Sequence, residues 1–113
     1  QVRDCMHPRD LVPLLRQQMS TPNDGRASVV NLSGGSECSI SLANLSDWCA
    51  DRWGKRIVKA DPAPRQFDLP WVVLDHSLAT ETWGLRTTIS IKQILTEIAD
   101  FADTQTAWIN FSK

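Results

Sequence analysis

QVRDCMHPRDLVPLL, residues 1–15, combines a charged Val-Arg-Asp triplet, a His-Pro step and the start of a helix. Leu11 and Leu15 are four residues apart, which is the spacing of one apolar helix face. If Asp10 is the N-cap, Pro13 falls in the first turn, where its missing N–H costs nothing. The stretch therefore predicts a helix with no strand or leader ahead of it, as in an unusual small protein or the later part of a longer one.

Length and composition indicate one soluble domain. The chain has 113 residues, of which 42% are hydrophobic and 22% charged. Its net charge of −1 gives no electrostatic basis for binding nucleic acid or an anionic membrane. No apolar run approaches the roughly 20 residues that a membrane helix needs. We therefore expect neither nucleic acid nor membrane as a partner.

Cysteine and tryptophan usage is distinctive. The three cysteines are an odd number without a Cys-x-x-Cys spacing, which favours reduced thiols in a cytoplasmic protein over a zinc site or disulfide framework. The chain has five Trp and no Tyr, and we assign the Trp residues chiefly to the core.

Hydrophobic patterning predicts four helices. Beyond the first helix, with Leu11, Leu15 and Met19 on its apolar face, three more follow from their caps. They run from Ser39 or Ser41 to Gly54 with Leu42, Leu45, Trp48, Cys49 and Trp53 on one side, from Asp75 to Gly84, and from about Ser90 with Ile91, Ile94, Leu95, Ile98, Ala99 and Phe101 on one side.

Three short β-branched runs predict strands, namely SVVNL at 28–32, RIVKA at 56–60 and WVVLD at 71–75. The predicted fold class is therefore α+β. SVVNL is apolar on both faces, as a strand covered on two sides would be, and this chain offers little to cover it twice. That pattern favours a chain that is part of a longer protein.

Catalytic and metal motifs are absent from the sequence. His7 and His76 are the only histidines, and neither stands in a metal-ligand or nucleophile motif. We expect a structural role for His7 and a solvated position for His76. Gly34-Gly35 is a turn and no phosphate loop, because GxGxxG and GxxxxGK[ST] are both missing. The residues alone predict no catalytic site and no metal site.

Arginines beside acids mark a possible binding site. Arg3 precedes Asp4, and Arg65 stands three residues before Asp68 in a Pro-rich loop. The planar guanidinium suits phosphate oxygens, and a neighbouring Asp can accept a hydrogen bond from a sugar hydroxyl. The alternative is two local surface salt bridges worth ~0–1 kcal/mol each. Spacing leaves both interpretations open.

Six segments, in order and with spacing kept, resemble the extended short-chain dehydrogenase/reductases, the NAD-dependent nucleotide-sugar epimerases and dehydratases. The resemblance covers about residues 1 to 103, and the nearest subgroup is the CDP-paratose (tyvelose) 2-epimerases. The segments are VRDCMHPRDL, VVNLSGG, SISLANL, APRQFDLPWVVLD, HSLATETWGL with Ala79 and Gly84 at the family's usual positions, and TISIKQILTEIADF.

The resemblance implies that NAD and the substrate are bound by different parts of the protein. In the family an N-terminal Rossmann part holds NAD and carries a Tyr-x-x-x-Lys pair, and this chain has no Tyr. Residues 1–113 then correspond to the C-terminal nucleotide-sugar-binding domain, with the Rossmann part absent. Residues 1–35 would pack on the Rossmann sheet, and 36–113 would form the substrate domain proper. NAD would be bound by the missing part and by no residue of this fragment.

The resemblance also assigns roles to residues. Arg3 and Arg65 would hold the diphosphate of a nucleotide-diphosphate sugar, and Asp68 would bind the nucleotide ribose. Phe67 departs from the family, which often has Gly there. Without the Rossmann sheet, residues 28–33 would pair with a second copy of the chain or remain irregular.

The expected function is therefore the substrate-binding part of an epimerase or dehydratase, specifically a CDP-sugar 2-epimerase of the isomerase class, with no catalysis by the fragment alone. Two alternatives stay open. One is a non-catalytic binding or interaction module of the same ancestry. The other is a structural domain with surface arginines.

Overall fold

Four helices and one three-stranded mixed sheet make up the α+β fold, as the sequence predicts. This computed structural model describes residues 1–22, 25–27, 29–59, 61, 63 and 66–105. The helices are α1 (Pro8–Ser20), α2 (Leu42–Trp53), α3 (Ser77–Trp83) and α4 (Ile91–Thr104). The strands are β1 (Val2–Asp4), β2 (Ser39–Ser41) and β3 (Trp71–Val72), with a 3-10 turn at Ser36–Cys38.

The helix boundaries follow local capping signals. The hydroxyl of Ser41 accepts from the backbone N–H of Asn44 at the start of α2. Ser90 forms a capping box with Gln93 at the start of α4. Gly84 ends α3 in the left-handed conformation, with φ 65°. The predicted second and fourth helices are confirmed, and so is the third, except that its N-cap is His76 and not the predicted Asp75.

The first helix begins earlier than predicted. Its N-cap is His7, whose Nδ1 accepts from the Arg9 N–H at 3.0 Å, and Pro8 occupies the first helical position, where its ring suits the backbone. The prediction of Asp10 as N-cap was wrong, and Pro13 consequently lies inside the helix. Asp10 is instead a buried residue of the first turn, with 6% of its surface exposed.

β1 is the centre of the sheet, in the order β2-β1-β3. It pairs antiparallel with β2, with Arg3 opposite Ile40. It pairs parallel with β3, with Arg3 opposite Val72. The charged triplet at the start of the chain is therefore the central strand, which the sequence analysis did not predict.

Two of the three predicted strands are wrong. Residues 29–32 and 56–59 have no regular structure, and residues 28 and 60 lie outside the described residues. WVVLD is confirmed as a strand only at Trp71–Val72. A β-branched run forms a strand only where it pairs with another strand, and neither run belongs to the sheet that the described residues form. Val29 and Ile57 are accordingly exposed to 82% and 91%.

The core lies between α1 and α3. Leu14 packs with Ala79, Trp83 and Leu85, and Met6 and Val30 lie against this cluster. The predicted apolar face of α1 is shifted by one residue: Leu14 is buried, whereas Leu15 is exposed and Met19 is 88% exposed. None of the residues of α2 is buried. Burial in α4 is confined to Ile94 and Ala99 of its predicted face.

A tight glycine turn joins the sheet to α3. A Cβ atom on Gly34 would lie 1.9 Å from the carbonyl oxygen of Cys5, and Gly35 adopts a positive φ of 65°. Ser33 is buried, donates to the carbonyl of Leu74 and accepts from the Gly35 N–H. The turn therefore holds Cys5 of the segment after β1 close to the segment leading into α3.

Across the described ranges, no helix combines the length and hydropathy needed to cross a membrane.

Candidate functional site

Arg3 and Asp68 meet at one edge of the sheet. The guanidinium of Arg3 donates from Nη2 to Asp68 Oδ1 at 2.8 Å, and from Nη1 to the Val2 carbonyl at 2.8 Å. The side-chain amide of Gln1 donates to the other carboxylate oxygen of Asp68. We call Gln1, Arg3 and Asp68 the Asp68 cluster. It brings together two residues that are 65 positions apart in the sequence.

Backbone hydrogen bonds fix the position of this cluster. The Val2 N–H donates to the Pro70 carbonyl at 2.8 Å, just ahead of β3. The Leu42 N–H, at the start of α2, donates to the Gln1 carbonyl at 2.9 Å. The cluster therefore lies where the central strand, the start of β3 and the amino end of α2 converge.

A cavity of about 450 Å³ borders the Asp68 cluster. Among the described residues, its walls carry one side-chain cation, Lys59, and two carboxylates, Asp61 and Asp68, alongside the Gln1 amide. Arg3 is not in the wall and reaches the cavity only through Asp68. The described residues that line it are Gln1, Leu42, Lys59, Asp61, Ala63, Asp68 and Pro70.

Arg3 does not pair with its neighbour in sequence. Asp4 instead accepts from the backbone N–H of Leu74 at 3.4 Å. The interpretation of Arg3 and Asp4 as a local salt bridge was therefore wrong, because alternation along β1 sends the two side chains to opposite faces of the sheet. Arg65, the third predicted site residue, lies outside the described residues.

Phe67 stands immediately before Asp68 with a φ of 64° and a fully exposed side chain. This left-handed backbone region favours glycine, and a bulky residue there is an outlier. The position where the resembled family often has Gly therefore has a glycine-like backbone and carries a phenylalanine. The ring points into solvent beside the cluster.

Comparisons of the chain with protein-family models, with curated proteins and with solved structures found no match. The functional interpretation therefore depends on the geometry of the chain itself and on the motif resemblance.

A second polar cavity of about 450 Å³ lies beside the glycine turn. His76 packs its ring against Gly35, and its Nδ1 is buried without a hydrogen-bond partner among the described residues. His76 is half-buried and not solvated as predicted, because Gly35 lies against its ring. Asp75 accepts from the Ser77 hydroxyl and N–H, and these hydrogen bonds lower the pKa of the Asp75 carboxyl.

Cys5 and Cys38 are poorly suited to nucleophilic chemistry or metal binding. Burial raises the pKa of Cys38, with further contributions from Cys5 and Asp10, and burial likewise raises the pKa of Cys5. Both thiols therefore stay protonated near neutral pH. All three cysteines are free thiols. Within the described part of the chain, no group of three or more His, Cys, Asp or Glu side chains could hold a metal ion.

Sequence reasoning found Arg3 and Asp68 but missed their neighbours. Gln1 lies 67 positions before Asp68 in the sequence and Lys59 lies nine positions before it, and neither stands in a motif. The pairing of β1 with β3 and the contact of Gln1 with α2 bring Gln1 to the site. No local signal marks such residues.

Proposed function

We propose that this chain is the substrate-binding part of an NAD-dependent nucleotide-sugar epimerase or dehydratase, with a CDP-sugar 2-epimerase as the specific activity. The motif resemblance suggests the family, and the contact between Arg3 and Asp68 beside a cavity supports the binding role. The ligand is a nucleotide-diphosphate sugar. Its diphosphate would accept hydrogen bonds from the Arg3 guanidinium, and a hydroxyl of its ribose would donate to Asp68.

The free energies of the two interactions favour replacing Asp68 by a phosphate as the partner of Arg3. The Arg3–Asp68 ion pair is partly exposed, with 39% and 23% of the two side chains accessible, so it contributes only about 0–1 kcal/mol. A charge-assisted hydrogen bond from Arg3 to a desolvated phosphate is worth about 1.5–3 kcal/mol. The diphosphate can therefore displace Asp68 at small cost. Asp68 is then available to accept from a ribose hydroxyl while Gln1 holds its other oxygen.

This chain contributes binding and positioning. Its residues do not fit NAD, since it has no GxGxxG turn and no Tyr for the family's catalytic base. NAD bound by a Rossmann part would accept and return the hydride at the sugar carbon. Holding the diphosphate uses binding energy remote from that carbon to orient the sugar. We expect no turnover from this chain alone.

Exposed apolar side chains in residues 1–35 support a protein partner for this segment. Val12, Leu15 and Met19 form a stripe along α1 and are exposed, as are Val29 and Leu32. Such a set favours a contact surface, and we assign it to the Rossmann part. In its absence, residues 28–33 would be the contact between two copies of the chain, which light scattering would detect as a dimer. With free thiols, the setting that fits is the cytoplasm.

Nucleotide titration followed by NMR tests the proposal and detects millimolar affinities. We expect CDP to shift the resonances of Gln1 and Asp68, and cytidine, which lacks the diphosphate, to bind at least about tenfold more weakly. Arg3→Gln should weaken CDP about tenfold, and Asp68→Asn should weaken both ligands. Arg86→Gln, an exposed arginine away from the cluster, is the matched control. Equal CDP affinity in Arg3→Gln and Arg86→Gln would overturn the proposal.

The same exposed surface also favours a second candidate, a non-catalytic binding or interaction module of the same ancestry. The coding sequence ahead of Gln1 separates the two. A GxxGxxG turn and a Tyr-x-x-x-Lys pair there would support the enzyme, and a Rossmann-like sequence without them would support the module.

A further inference from the structure

A cleft of about 710 Å³ lies between the carboxyl-terminal ends of α2 and α4, away from the Asp68 cluster. Its volume is in the range of sites for small molecules, about 300–1,000 Å³. Its lining is mainly apolar, with Leu45, Cys49, Ala50, Trp53, Val58 and Ala102 supplying most of the wall. Within the described part of the chain, its charged lining residues are Arg56 and Asp103.

The walls of this cleft are fixed by contacts between the two helices. Arg52 of α2 donates to Asp100 at 2.6 Å and to Asp103 at 2.8 Å, both on α4. The indole N–H of Trp53 donates to the other oxygen of Asp103 at 2.9 Å. Trp48 meets the Trp53 ring edge-on, with ring centroids 5.8 Å apart. The Trp53 ring therefore stays in place as an aromatic wall.

These contacts also give the acid of the cleft its hydrogen-bond partners. Both oxygens of Asp103 accept hydrogen bonds, one from the Arg52 guanidinium and one from Trp53. Asp103 is accordingly a paired carboxylate with a hydrogen-bond donor on each oxygen, and it shares the Arg52 guanidinium with Asp100.

Arg56 differs from Arg52. It lines the cleft and is exposed, yet among residues 1–22, 25–27, 29–59, 61, 63 and 66–105 it makes no hydrogen bond and no ion pair. The cleft therefore offers an apolar body, one aromatic wall and one unpaired cation at its rim. A ligand that matches all three has an apolar portion and a single negative charge.

We propose that this cleft binds a small amphipathic monoanion, such as a medium-chain or aromatic carboxylate. The apolar portion lies against Trp53 and Val58, and the carboxylate accepts from Arg56. A diphosphate fits poorly, because it carries more negative charge than one arginine can balance and leaves the apolar wall uncovered. The site is separate from the Asp68 cluster and does not depend on the proposed nucleotide-sugar function.

Octanoate and its uncharged analogue 1-octanol test the proposal with a local readout. Cys49 lies in the wall, whereas Cys5 lies outside it, so bound ligand should slow alkylation of Cys49 by N-ethylmaleimide and leave Cys5 unaffected. Mass spectrometry resolves the two cysteines and gives an apparent affinity from the protection of Cys49.

Two matched variants isolate the role of the charge. Arg56→Gln should weaken octanoate about tenfold and change 1-octanol less than about twofold. Lys55→Gln removes the neighbouring charge outside the lining and should leave both ligands unchanged. Both positions are exposed, so the fold should be retained. Failure of octanoate to protect Cys49, or equal effects of the two substitutions on octanoate, would overturn the proposal.

Discussion

The carboxylate of Asp10 accepts hydrogen bonds from both the backbone N–H and the hydroxyl of Thr88, 78 residues further along the chain, at 3.2 and 2.7 Å. The Ile89 N–H adds a third hydrogen bond at 3.3 Å. This buried acid thereby joins the first turn of α1 to the segment that leads into α4, and it holds α1 against the core around Leu14 and Trp83.

We expect Asp10→Ala to lower the free energy of unfolding by about 3 kcal/mol, because it removes three part-buried hydrogen bonds, each worth about 1 kcal/mol, from two backbone N–H groups and one hydroxyl. Thr88→Val removes only the hydroxyl bond and should cost about 1 kcal/mol. Urea denaturation measures both. Asp51→Ala, at an exposed position of α2, is the control and should change stability by less than about 0.5 kcal/mol. Equal effects at positions 10 and 51 would contradict the assignment.

Gly34→Ala should be among the most destabilising single substitutions, at about 3 kcal/mol or more. Its Cβ would lie 1.9 Å from the Cys5 carbonyl oxygen and 2.7 Å from Cys38 Cβ, so the central strand would have to move. Gly25→Ala is the matched control: its φ of 72° is also positive, but nothing lies within 4 Å, so only the backbone cost of about 1–2 kcal/mol applies. Thermal unfolding that ranks the two variants the other way would refute this account.

Phe67→Gly should stabilise the protein. Relief of the left-handed backbone at φ 64° returns about 1–2 kcal/mol, and the added freedom of the unfolded chain removes about 0.4–1 kcal/mol. We therefore expect a net gain of about 0.5–1 kcal/mol in chemical denaturation. Leu69→Gly, another exposed apolar residue but without a positive φ, should destabilise. A loss of stability in both variants would show that Phe67 makes a contribution its exposure does not reveal.

The Arg3–Asp68 pair should matter little for stability without a ligand. A double-mutant cycle with Arg3→Gln and Asp68→Asn should give a coupling of about 0.2–1 kcal/mol, which shrinks in high salt because the pair is partly exposed. With a coupling free energy this small, a diphosphate can replace Asp68 as the partner of Arg3. A coupling above about 2 kcal/mol that persists in high salt would assign the pair to the structure instead.

The link between α2 and α4 should depend on pH. The hydrogen bond from Arg52, followed by the one from Trp53, lowers the pKa of Asp103. Because the pKa is lower in the folded state, the stabilisation is fully present above the ordinary pKa of Asp, near 3.8, and is lost as the pH falls through the lower folded value. Carboxyl ¹³C titration should show the pKa of Asp103 rising in Arg52→Gln. An unchanged Asp103 titration would contradict the ion pair.

Local sequence accounts for the helices. Ser41, Gly54, Gly84 and Ser90 are caps whose hydrogen bonds form within a few residues, so their positions could be predicted without knowing the rest of the fold. The glycine turn at 34–35 could be predicted for the same reason. The first helix had two candidate N-caps in its sequence. It begins at Pro8 with His7 as N-cap, and Asp10, the predicted N-cap, lies inside its first turn.

The sheet and the candidate site could not be predicted in this way. Val2–Asp4 became the central strand despite its charge, because the backbones of β2 and β3 lie alongside it. The β-branched run at 29–32 does not belong to the sheet that the described residues form, and it has no regular structure. Strand pairing, and with it the meeting of Arg3 with Asp68, joins residues tens of positions apart, so only the tertiary structure decides it. The sequence by itself determined four helices and most of their caps, since a helix satisfies its backbone hydrogen bonds locally and a strand does not.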